Sequence, residues 1–272
     1  MSREINKDTQ LCMSLAGRPG NFGTRFHNYL YQELDLNFIY KAFTTKDIQA
    51  AVGGVRALGI RGCAVSMPFK ESCIPFLDEL DASATAIESV NTIVNDDGFL
   101  RAYNTDYIAI AKLLAKYQIP PATSFALRGS GGMAKAVTAA LRDAGFKNGH
   151  LIARNPQAGQ ALAAQYGYQW QPEVGDLQVE MVINVTPIGM AGGSEAEQLA
   201  FEPATIKAAK IAFDVVALPA ETPLIRYARE QGLQVVTGAE VIALQALEQF
   251  VLYTGVRPSD EQITRAAAHA RG

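Results

Sequence analysis

The sequence of 272 residues is poor in the residues that build metal and disulfide sites, with three cysteines and three histidines. The cysteines, at positions 12, 63 and 73, do not have the spacing of a metal site. The histidines are scattered along the chain, at positions 27, 150 and 269. An odd number of cysteines in apolar surroundings is typical of reduced, buried thiols in a cytoplasmic protein. We therefore predict neither a disulfide framework nor a zinc site.

A basic surplus and long apolar runs are also missing. Lysine and arginine total 24 against 27 acidic residues, so the net charge of -3 offers no basic face to nucleic acid. No apolar run is long enough to span a bilayer, and residues 1–8 lack the apolar core of a signal peptide. We expect a cytoplasmic protein without nucleic-acid or membrane partners. Its 49% of hydrophobic residues can fill the core of one large domain or two ordinary ones.

The first hundred residues alternate strand and helix signals. Short apolar runs at 11–16, 38–43 and 62–66 predict buried strands, with helices over 24–34 and after residues 44–47. Runs at 91–94 and 99–102 flank Asp97-Gly98, a pair typical of a tight hairpin turn. This half therefore reads as an α/β domain.

The second half has its own series of strands, separated mostly by helices. Apolar runs at 125–127, 150–153, 180–184, 212–216 and 233–237 predict a parallel sheet. Residues 106–121 resemble a linking helix and loop. Residues 241–272 carry no strand signal and predict two helices, split by Gly255 and Pro258, that return to the first domain. The fold class is thus α/β with two domains.

A glycine-rich turn joins the first strand of the second half to a helix. In Gly129-x-Gly131-Gly132-x-Ala134, the first glycine suits a tight turn and the next two allow backbone amides to approach a pyrophosphate. A turn of this kind that binds nothing is the alternative, because the motif alone is weak. Arg128, directly before Gly129, is unusual at the end of a buried strand and could face the anion.

The end of the next strand bears on the choice of cofactor. NAD enzymes usually place an acidic residue about 20 residues after the glycines, but Ala153-Arg154-Asn155 contains none. An arginine can pair with the 2′-phosphate of NADP. An arginine that simply faces solvent is the alternative for Arg154.

Together these segments resemble the shikimate dehydrogenase family, and more closely its shikimate dehydrogenase-like branch. The resemblance covers essentially the whole chain, in order, through residues 64–70, 88–92, 104–106, 129–134, 184–190, 214–224 and 238–245. It implies that Lys70 and Asp106 are catalytic. It also implies a substrate-binding catalytic domain, residues 1–106 with 239–272, and a Rossmann-type NAD(P)-binding domain, residues 107–238.

The resemblance further implies two sets of binding residues. For substrate they are Asn21, Gly23, Ser66, Asn91 and Gln245. For cofactor they are Gly129, Ser130, Gly131, Gly132, Met133, Ala134, Arg154, Asn184, Thr186, Met190, Val215 and Gly238. The implied activity is the reversible, NAD(P)-dependent reduction of 3-dehydroshikimate to shikimate, or of a related cyclic hydroxy acid, within aromatic amino-acid biosynthesis by the chorismate pathway. The implied assembly is a monomer or a homodimer.

Several positions depart from the family pattern. Two serines and a proline that bind the substrate carboxylate are replaced by Asn21, Gly23 and Thr24. A tyrosine of the family is Ala217, and the second basic residue of the NADP clamp is Ala158. NADP is therefore favoured over NAD only modestly. Quinate or an aminated or otherwise modified shikimate analogue remains an alternative substrate, and a cofactor-binding regulatory homologue with little turnover remains an alternative function.

Oxidation of a secondary alcohol needs an acceptor for the hydroxyl proton. We assign this role to Lys70, with Asp106 orienting it and accepting a hydrogen bond from a substrate hydroxyl. Each residue also has an ordinary structural interpretation. Lys70 can be a helix-start lysine, Asp106 a cap of a helix beginning near Tyr107, Asn91 a turn residue at a strand edge, and Gln245 a buried glutamine bonded to backbone.

Overall fold

The computed structural model describes residues 4–272 and divides into two compact units. The first comprises the described residues up to Thr105 together with Ala243–Gly272, and the second is Asp106–Ile242. The domain ranges predicted from the sequence differ from these units at Asp106 and at residues 239–242. Residues 1–3 of the predicted first domain lie outside the described part of the chain.

The first unit is built on a six-stranded mixed sheet in the order β2-β1-β3-β5-β6-β4. Its strands are β1 (Gln10–Leu15), β2 (Phe38–Phe43), β3 (Gly62–Val65), β4 (Glu79–Leu80), β5 (Thr92–Asp96) and β6 (Phe99–Tyr103). Its first helices are α1 (Phe22–Glu33), α2 (Ile48–Ala57), α3 (Phe69–Ser72) and α4 (Ala82–Thr85). β1 runs parallel to β2 and β3, whereas β5 is antiparallel to β3 and β6.

The predicted hairpin is confirmed as the β5–β6 pair. Asp96 pairs with Phe99, which leaves Asp97 and Gly98 as a two-residue loop. Both loop residues have positive φ angles, 51° and 92°, as a type I′ turn requires. The Asp-Gly sequence therefore fixes the register of the two strands.

Two helices connect or complete the units. α5 (Thr105–Lys116) begins at the last residue of the first unit, and α10 (Gly238–Thr254) begins in the second unit and ends in the first. α11 (Asp260–Arg271) starts with a capping box of Ser259 and Gln262 and packs on α1. The predicted return of the C-terminal helices is confirmed, because they share a core with α1 that includes Phe26, Leu30, Phe250, Tyr253, Ala266 and Ala270.

The second unit has a six-stranded, fully parallel sheet in the order β12-β11-β10-β7-β8-β9. Its strands are β7 (Phe125–Arg128), β8 (Gly149–Ile152), β9 (Gln169–Gln171), β10 (Met181–Asn184), β11 (Ile211–Asp214) and β12 (Gln234–Val236). Its helices are α6 (Gly132–Asp143), α7 (Pro156–Tyr166), α8 (Pro203–Ala208) and α9 (Pro223–Glu230). This order is that of a doubly wound Rossmann-type sheet, whose switch point lies between β7 and β10.

Local sequence explains where several helices begin. The side chains of Asp47, Asn155 and Thr222 accept hydrogen bonds from the first turns of α2, α7 and α9, and α7 and α9 each start with proline. The three cysteines are buried and unpaired. Within residues 4–272, every helix is too short or not apolar enough to traverse a bilayer.

Candidate active site

Ser66 and Lys70 follow directly on β3 of the first unit. The Ser66 amide donates to the Leu15 carbonyl at 2.8 Å, and Lys70 lies in the one-turn helix α3. The carbonyl of Lys70 accepts a hydrogen bond from the Val90 amide at 2.8 Å. These backbone bonds hold both predicted residues at the same end of the sheet as the start of β5.

Asn91 lies at that same end and is almost completely buried. Its Oδ1 accepts from the Thr105 amide at 2.8 Å, from Thr105 Oγ1 at 3.1 Å and from Thr92 Oγ1 at 2.9 Å. These donors fix the orientation of the amide, because only an oxygen can accept them. Among residues 4–272, Nδ2 of Asn91 has no hydrogen-bond partner, so it is a donor available to a ligand.

Helix α10 adds two glutamines to this group. Gln249 Nε2 donates to the Asn91 carbonyl at 3.2 Å and to Thr92 Oγ1 at 3.0 Å. Gln245, the predicted substrate residue, is half-buried one turn earlier on the same helix face. The sequence prediction missed Gln249, although its spacing of four residues from Gln245 was the available signal.

The loop before α1 carries the departures from the family pattern. Asn21 is exposed at the start of α1, and its side chain makes no capping hydrogen bond. Gly23 lies in the first turn, where an added Cβ would be 3.5 Å from Tyr40 Oη, an ordinary van der Waals distance. Nearby, Thr24 Oγ1 is buried without a hydrogen-bond partner in the described structure. Space therefore does not demand glycine at position 23.

Asp106 belongs to the second unit and is mostly buried, with 9% of its surface exposed. It is the second residue of α5, which begins at Thr105. The helix thus begins two residues before Tyr107, which places Asp106 within the first turn. A carboxylate in the first turn is still favoured by the helix dipole.

The glycine loop has the geometry expected of an anion-binding turn. Gly129 has a φ of +127°, and an added Cβ would lie 2.8 Å from Val185 Cγ2, so only glycine fits. At Gly131 and Gly132 an added Cβ would meet nothing within 4 Å, which leaves open space beside the start of α6. The amides of the first helical residues, Gly132, Met133 and Ala134, have no partner within the helix and are suited to an anion.

A cavity of about 500 Å³ lies at the carboxyl ends of β7, β8 and β10. Its lining includes five predicted cofactor residues, namely Gly129, Ser130, Gly131, Arg154 and Thr186. It also includes Arg128, which the sequence analysis offered as a residue facing the anion, and Glu195, Gln198 and Glu202, which were not predicted. Most of these additional residues lie on the segment between β10 and α8, whose approach to the glycine loop has no local sequence signal.

Asn184 is buried at the end of β10 and bonds only to protein groups. Its Nδ2 donates to the Ile188 carbonyl and to Asp214 Oδ1, both at 3.0 Å. Its Oδ1 accepts from the Thr186 amide at 3.0 Å and from Thr186 Oγ1 at 2.6 Å. Asn184 thus shapes the turn that brings Thr186 to the cavity.

Asp214 anchors this network from the end of β11. Its carboxylate accepts from Asn184, from the Val216 amide at 3.0 Å and from Thr222 Oγ1 at 2.7 Å. Burial raises the pKa of Asp214 to about 6, and these hydrogen bonds oppose the shift only in part. Two further predicted residues flank this network: Val215, which follows Asp214, is half-buried, and Met190, which lies on the segment after Asn184, is 43% exposed.

Gly238, at the start of α10, is a position where a side chain cannot fit. An added Cβ would lie 2.2 Å from the Val216 carbonyl oxygen, so the helix approaches the end of β11 at backbone distance. This steric requirement is sufficient to explain the glycine. It also places the start of α10 beside the end of β11.

The doubly wound sheet, the glycine loop at its switch point and the adjacent cavity define a dinucleotide-binding α/β protein. A family model for the shikimate dehydrogenase substrate-binding domain matches residues 22–93. A shikimate dehydrogenase-like protein of Haemophilus influenzae is 64% identical over 267 residues, which is 98% of each chain. The chain belongs to the shikimate dehydrogenase family.

Two further relatives show how far the similarity extends. Shikimate dehydrogenase (NADP(+)) of Moorella thermoacetica is 32% identical over 277 residues, covering 96% of this chain and 93% of that protein. The structure of shikimate 5-dehydrogenase from Thermus thermophilus, in complex with NADP(H) and shikimate, superposes with a TM-score of 0.84 at 28% identity. That match covers 96% of this chain and all of the other. The predicted family and fold class are confirmed.

Proposed function

We propose that this protein is an NAD(P)-dependent oxidoreductase that interconverts shikimate and 3-dehydroshikimate, or a closely related pair of cyclic hydroxy and oxo acids. The observation that carries the proposal is the arrangement around Lys70 in the first unit. The bond from the Val90 amide to the Lys70 carbonyl, 2.8 Å long, ties the lysine to the residue before Asn91. The lysine assigned to proton transfer and the amide assigned as a donor thus lie at one end of the sheet, where β3 ends and β5 begins.

The chemistry assigned to these residues is general acid–base catalysis. In the oxidative direction, Lys70 takes the proton of the substrate hydroxyl while the carbon loses a hydride; in the reductive direction, Lys70 returns that proton to the oxygen. We assign Asp106 the orientation of Lys70 and a hydrogen bond from a substrate hydroxyl. Asn91 Nδ2 and Gln245 supply further donors to the ring substituents.

The second unit suits the cofactor role. The nicotinamide of NAD(P), when bound, accepts or donates the hydride. The open space at Gly131 and Gly132 and the free amides of α6 fit its pyrophosphate. Arg154 is the residue that would favour NADP. Asn184 contributes to the cofactor site by positioning Thr186. We propose that residues 107–238 serve as the cofactor domain, and that residues 1–106 and 239–272 serve as the substrate domain.

A regulatory homologue with little turnover is the second candidate. Gly23 and Ala217 favour it, because each removes a polar side chain that the family uses. Quinate and aminated shikimate analogues remain candidate substrates for the altered loop at Asn21 and Gly23. These possibilities differ in turnover and in substrate preference, which makes them separable by assay.

The test is a steady-state assay of the purified protein with shikimate, quinate and an aminated analogue, each with NADP and with NAD. We expect turnover of one cyclic hydroxy acid, with NADP preferred modestly. Cofactor binding without turnover on any of the three would favour the regulatory homologue. The absence of both binding and turnover would contradict the proposal.

A further inference from the structure

Arg128 is a charged residue at the end of an otherwise fully buried strand. The preceding residues of β7, Phe125, Ala126 and Leu127, have no exposed surface. Strand neighbours lie on both sides, since Arg128 is in register with Ile152 of β8 and Asn184 of β10. A guanidinium at such a place loses much of its hydration, which is unfavourable unless another group replaces the water.

The side chain of Arg128 extends into the cavity beside the glycine loop. Side chains alternate along a strand, so Arg128 lies on the same face as Ala126. Its guanidinium carbon is 5.3 Å from the centre of the Phe201 ring, and the residue lines the cavity together with Arg154. The ring of Phe201 therefore contacts the guanidinium, and the N–H groups of the guanidinium remain for another partner.

The described structure provides Arg128 with no hydrogen-bonded partner for its side chain. Its Nε is buried and unbonded, and neither Arg128 nor Arg154 forms an ion pair within residues 4–272. Burial lowers the pKa of Arg128, and Arg154 lowers it further, while the carboxylates of Glu202, Glu173 and Glu195 oppose these effects only in part. Two cations near one another and without bonded counterions are suited to an anionic ligand.

We propose that Arg128, together with Arg154, binds the 2′-phosphate of NADP and so determines cofactor specificity. A guanidinium presents a planar set of donors that matches phosphate oxygens. Arg128 thereby supplies the second cation of the clamp, for which the chain has only Ala158 at the position used by the family. The inference rests on the proposed use of NADP.

The 2′-phosphate is the ligand group that best explains a second arginine at this end of the cavity. The pyrophosphate already has the glycine loop and the free amides of α6. NAD carries a hydroxyl in place of the 2′-phosphate and brings no charge to Arg154. With Glu195 and Glu202 also lining the cavity, a dianion needs more than one arginine to be held there. Arg128 should therefore affect NADP selectively.

The experiment compares Arg128→Met, which removes the charge but keeps the length, with Arg128→Lys, which keeps the charge. Lys207→Ala is the matched control, because it changes the net charge equally at an exposed site of α8. Calorimetry measures the affinity of each protein for NADP, NAD, 2′,5′-ADP and 5′-ADP. The two adenosine phosphates report on the 2′-phosphate without any contribution from the nicotinamide or from turnover.

We expect Arg128→Met to weaken NADP and 2′,5′-ADP roughly ten- to hundredfold, as for a lost hydrogen bond to a charged group. NAD and 5′-ADP should be unaffected within about twofold, and Arg128→Lys should recover part of the loss. Equal losses for all four ligands would overturn the inference and indicate contact with the adenine. Unchanged binding of 2′,5′-ADP would also overturn it, whereas a wild type that binds neither dinucleotide would refute the proposed function itself.

Discussion

Both units bury a titratable side chain completely, but they surround it in opposite ways. In the first unit, His27 is stacked on Tyr40, with ring centres 4.5 Å apart, and neither ring nitrogen has a hydrogen-bond partner of good geometry among residues 4–272. In the second, Asp214 accepts hydrogen bonds from Asn184, Val216 and Thr222. The aromatic surroundings of His27 therefore favour its neutral form, whereas the surroundings of Asp214 supply three hydrogen-bond donors to its carboxylate.

This contrast gives the two units opposite responses to pH. Burial lowers the pKa of His27 to about 3, so its contribution to stability is present above pH 6.5 and is lost as the pH falls. Burial raises the pKa of Asp214 to about 6, so its contribution is present below pH 4 and is lost as the pH rises through about 6. At neutral pH, ionisation of buried Asp214 therefore lowers the stability of the second unit, whereas His27 is neutral and has no such effect on the first.

The largest expected effect separates the units by function. Lys70→Ala should lower kcat by roughly 10²- to 10⁴-fold, the usual contribution of a positioned general acid or base. Affinity for NADP should scarcely change, because the proposed cofactor residues belong to the second unit. Steady-state kinetics on the best substrate and calorimetry with NADP measure the two quantities. Near wild-type kcat in this variant would eliminate the proposed mechanism.

Asp106→Asn, which keeps the shape and removes the charge, extends the same test. If Lys70 and Asp106 act as a pair, the double variant should lose less than the product of the two single losses. Fully multiplicative losses would show that the two residues act independently.

The next effect concerns the first unit at acid pH. His27→Phe should remove the pH-dependent loss of stability that protonation of unfolded His27 causes, which reaches up to about 5 kcal/mol near pH 3. Urea unfolding between pH 7 and pH 4, followed by circular dichroism, gives the free energy of unfolding. His269→Phe, at an exposed site, is the matched control and should keep the wild-type pH profile. A wild-type pH profile of the free energy of unfolding in His27→Phe would show that His27 does not cause the loss of stability at acid pH.

A smaller effect of opposite sign is expected in the second unit. Asp214→Asn should remove a decline in stability of about 3 kcal/mol between pH 4 and pH 7. Trp170, the single tryptophan of the chain, lies in β9 and allows fluorescence to follow unfolding of this unit. The exposed Asp176→Asn is the control. If the free energy of unfolding fell with pH equally in Asp214→Asn, Asp176→Asn and the wild type, ionisation of Asp214 would not be the cause of the decline.

The smallest effect tests the altered substrate loop. Gly23→Ser restores a hydroxyl that the family uses, and the 3.5 Å spacing to Tyr40 Oη leaves room for it. One added neutral hydrogen bond should lower KM for shikimate by roughly fivefold. Gly20→Ser, in the same loop with open space around it, is the control. Equal KM values in both variants would show that position 23 does not face the substrate.

Much of the fold could be predicted because local signals coincide with it. Asp97-Gly98 predicted the hairpin, and most of the longer apolar runs became strands within about a residue of their predicted ends. β4 and β9 were missed because two or three residues become a strand only by pairing, as Glu79 does with Arg101. The antiparallel placement of β5 beside β3 likewise depends on contacts distant in sequence.

The candidate site likewise contains residues with a local sequence signal and residues whose place depends on contacts distant in sequence. Lys70, Asn91 and the glycine loop carry recognisable local sequences, and the structure shows what holds each of them in place. Thr105 and Gln249, which bond the side chain and the main-chain carbonyl of Asn91 respectively, have roles that depend on tertiary hydrogen bonds. The sequence offered no signal for Thr105 in this role, and for Gln249 only its spacing from Gln245. Glu195 and Glu202 reach the cavity through a segment without regular structure. Sequence thus points to the candidate site residues more readily than to the residues that position them.

The return of the C-terminal helices to the first unit has a consequence for how the chain is made. A ribosome releases residues 106–242 before the final segment, so the second unit can fold while the nascent chain is still growing. The first unit cannot, because Phe250, Tyr253 and Ala266 of the last thirty residues complete the core around Phe26. Until residues 243–272 have been synthesised, that half of the protein exposes an unfinished apolar surface and is the half that chaperones would have to protect.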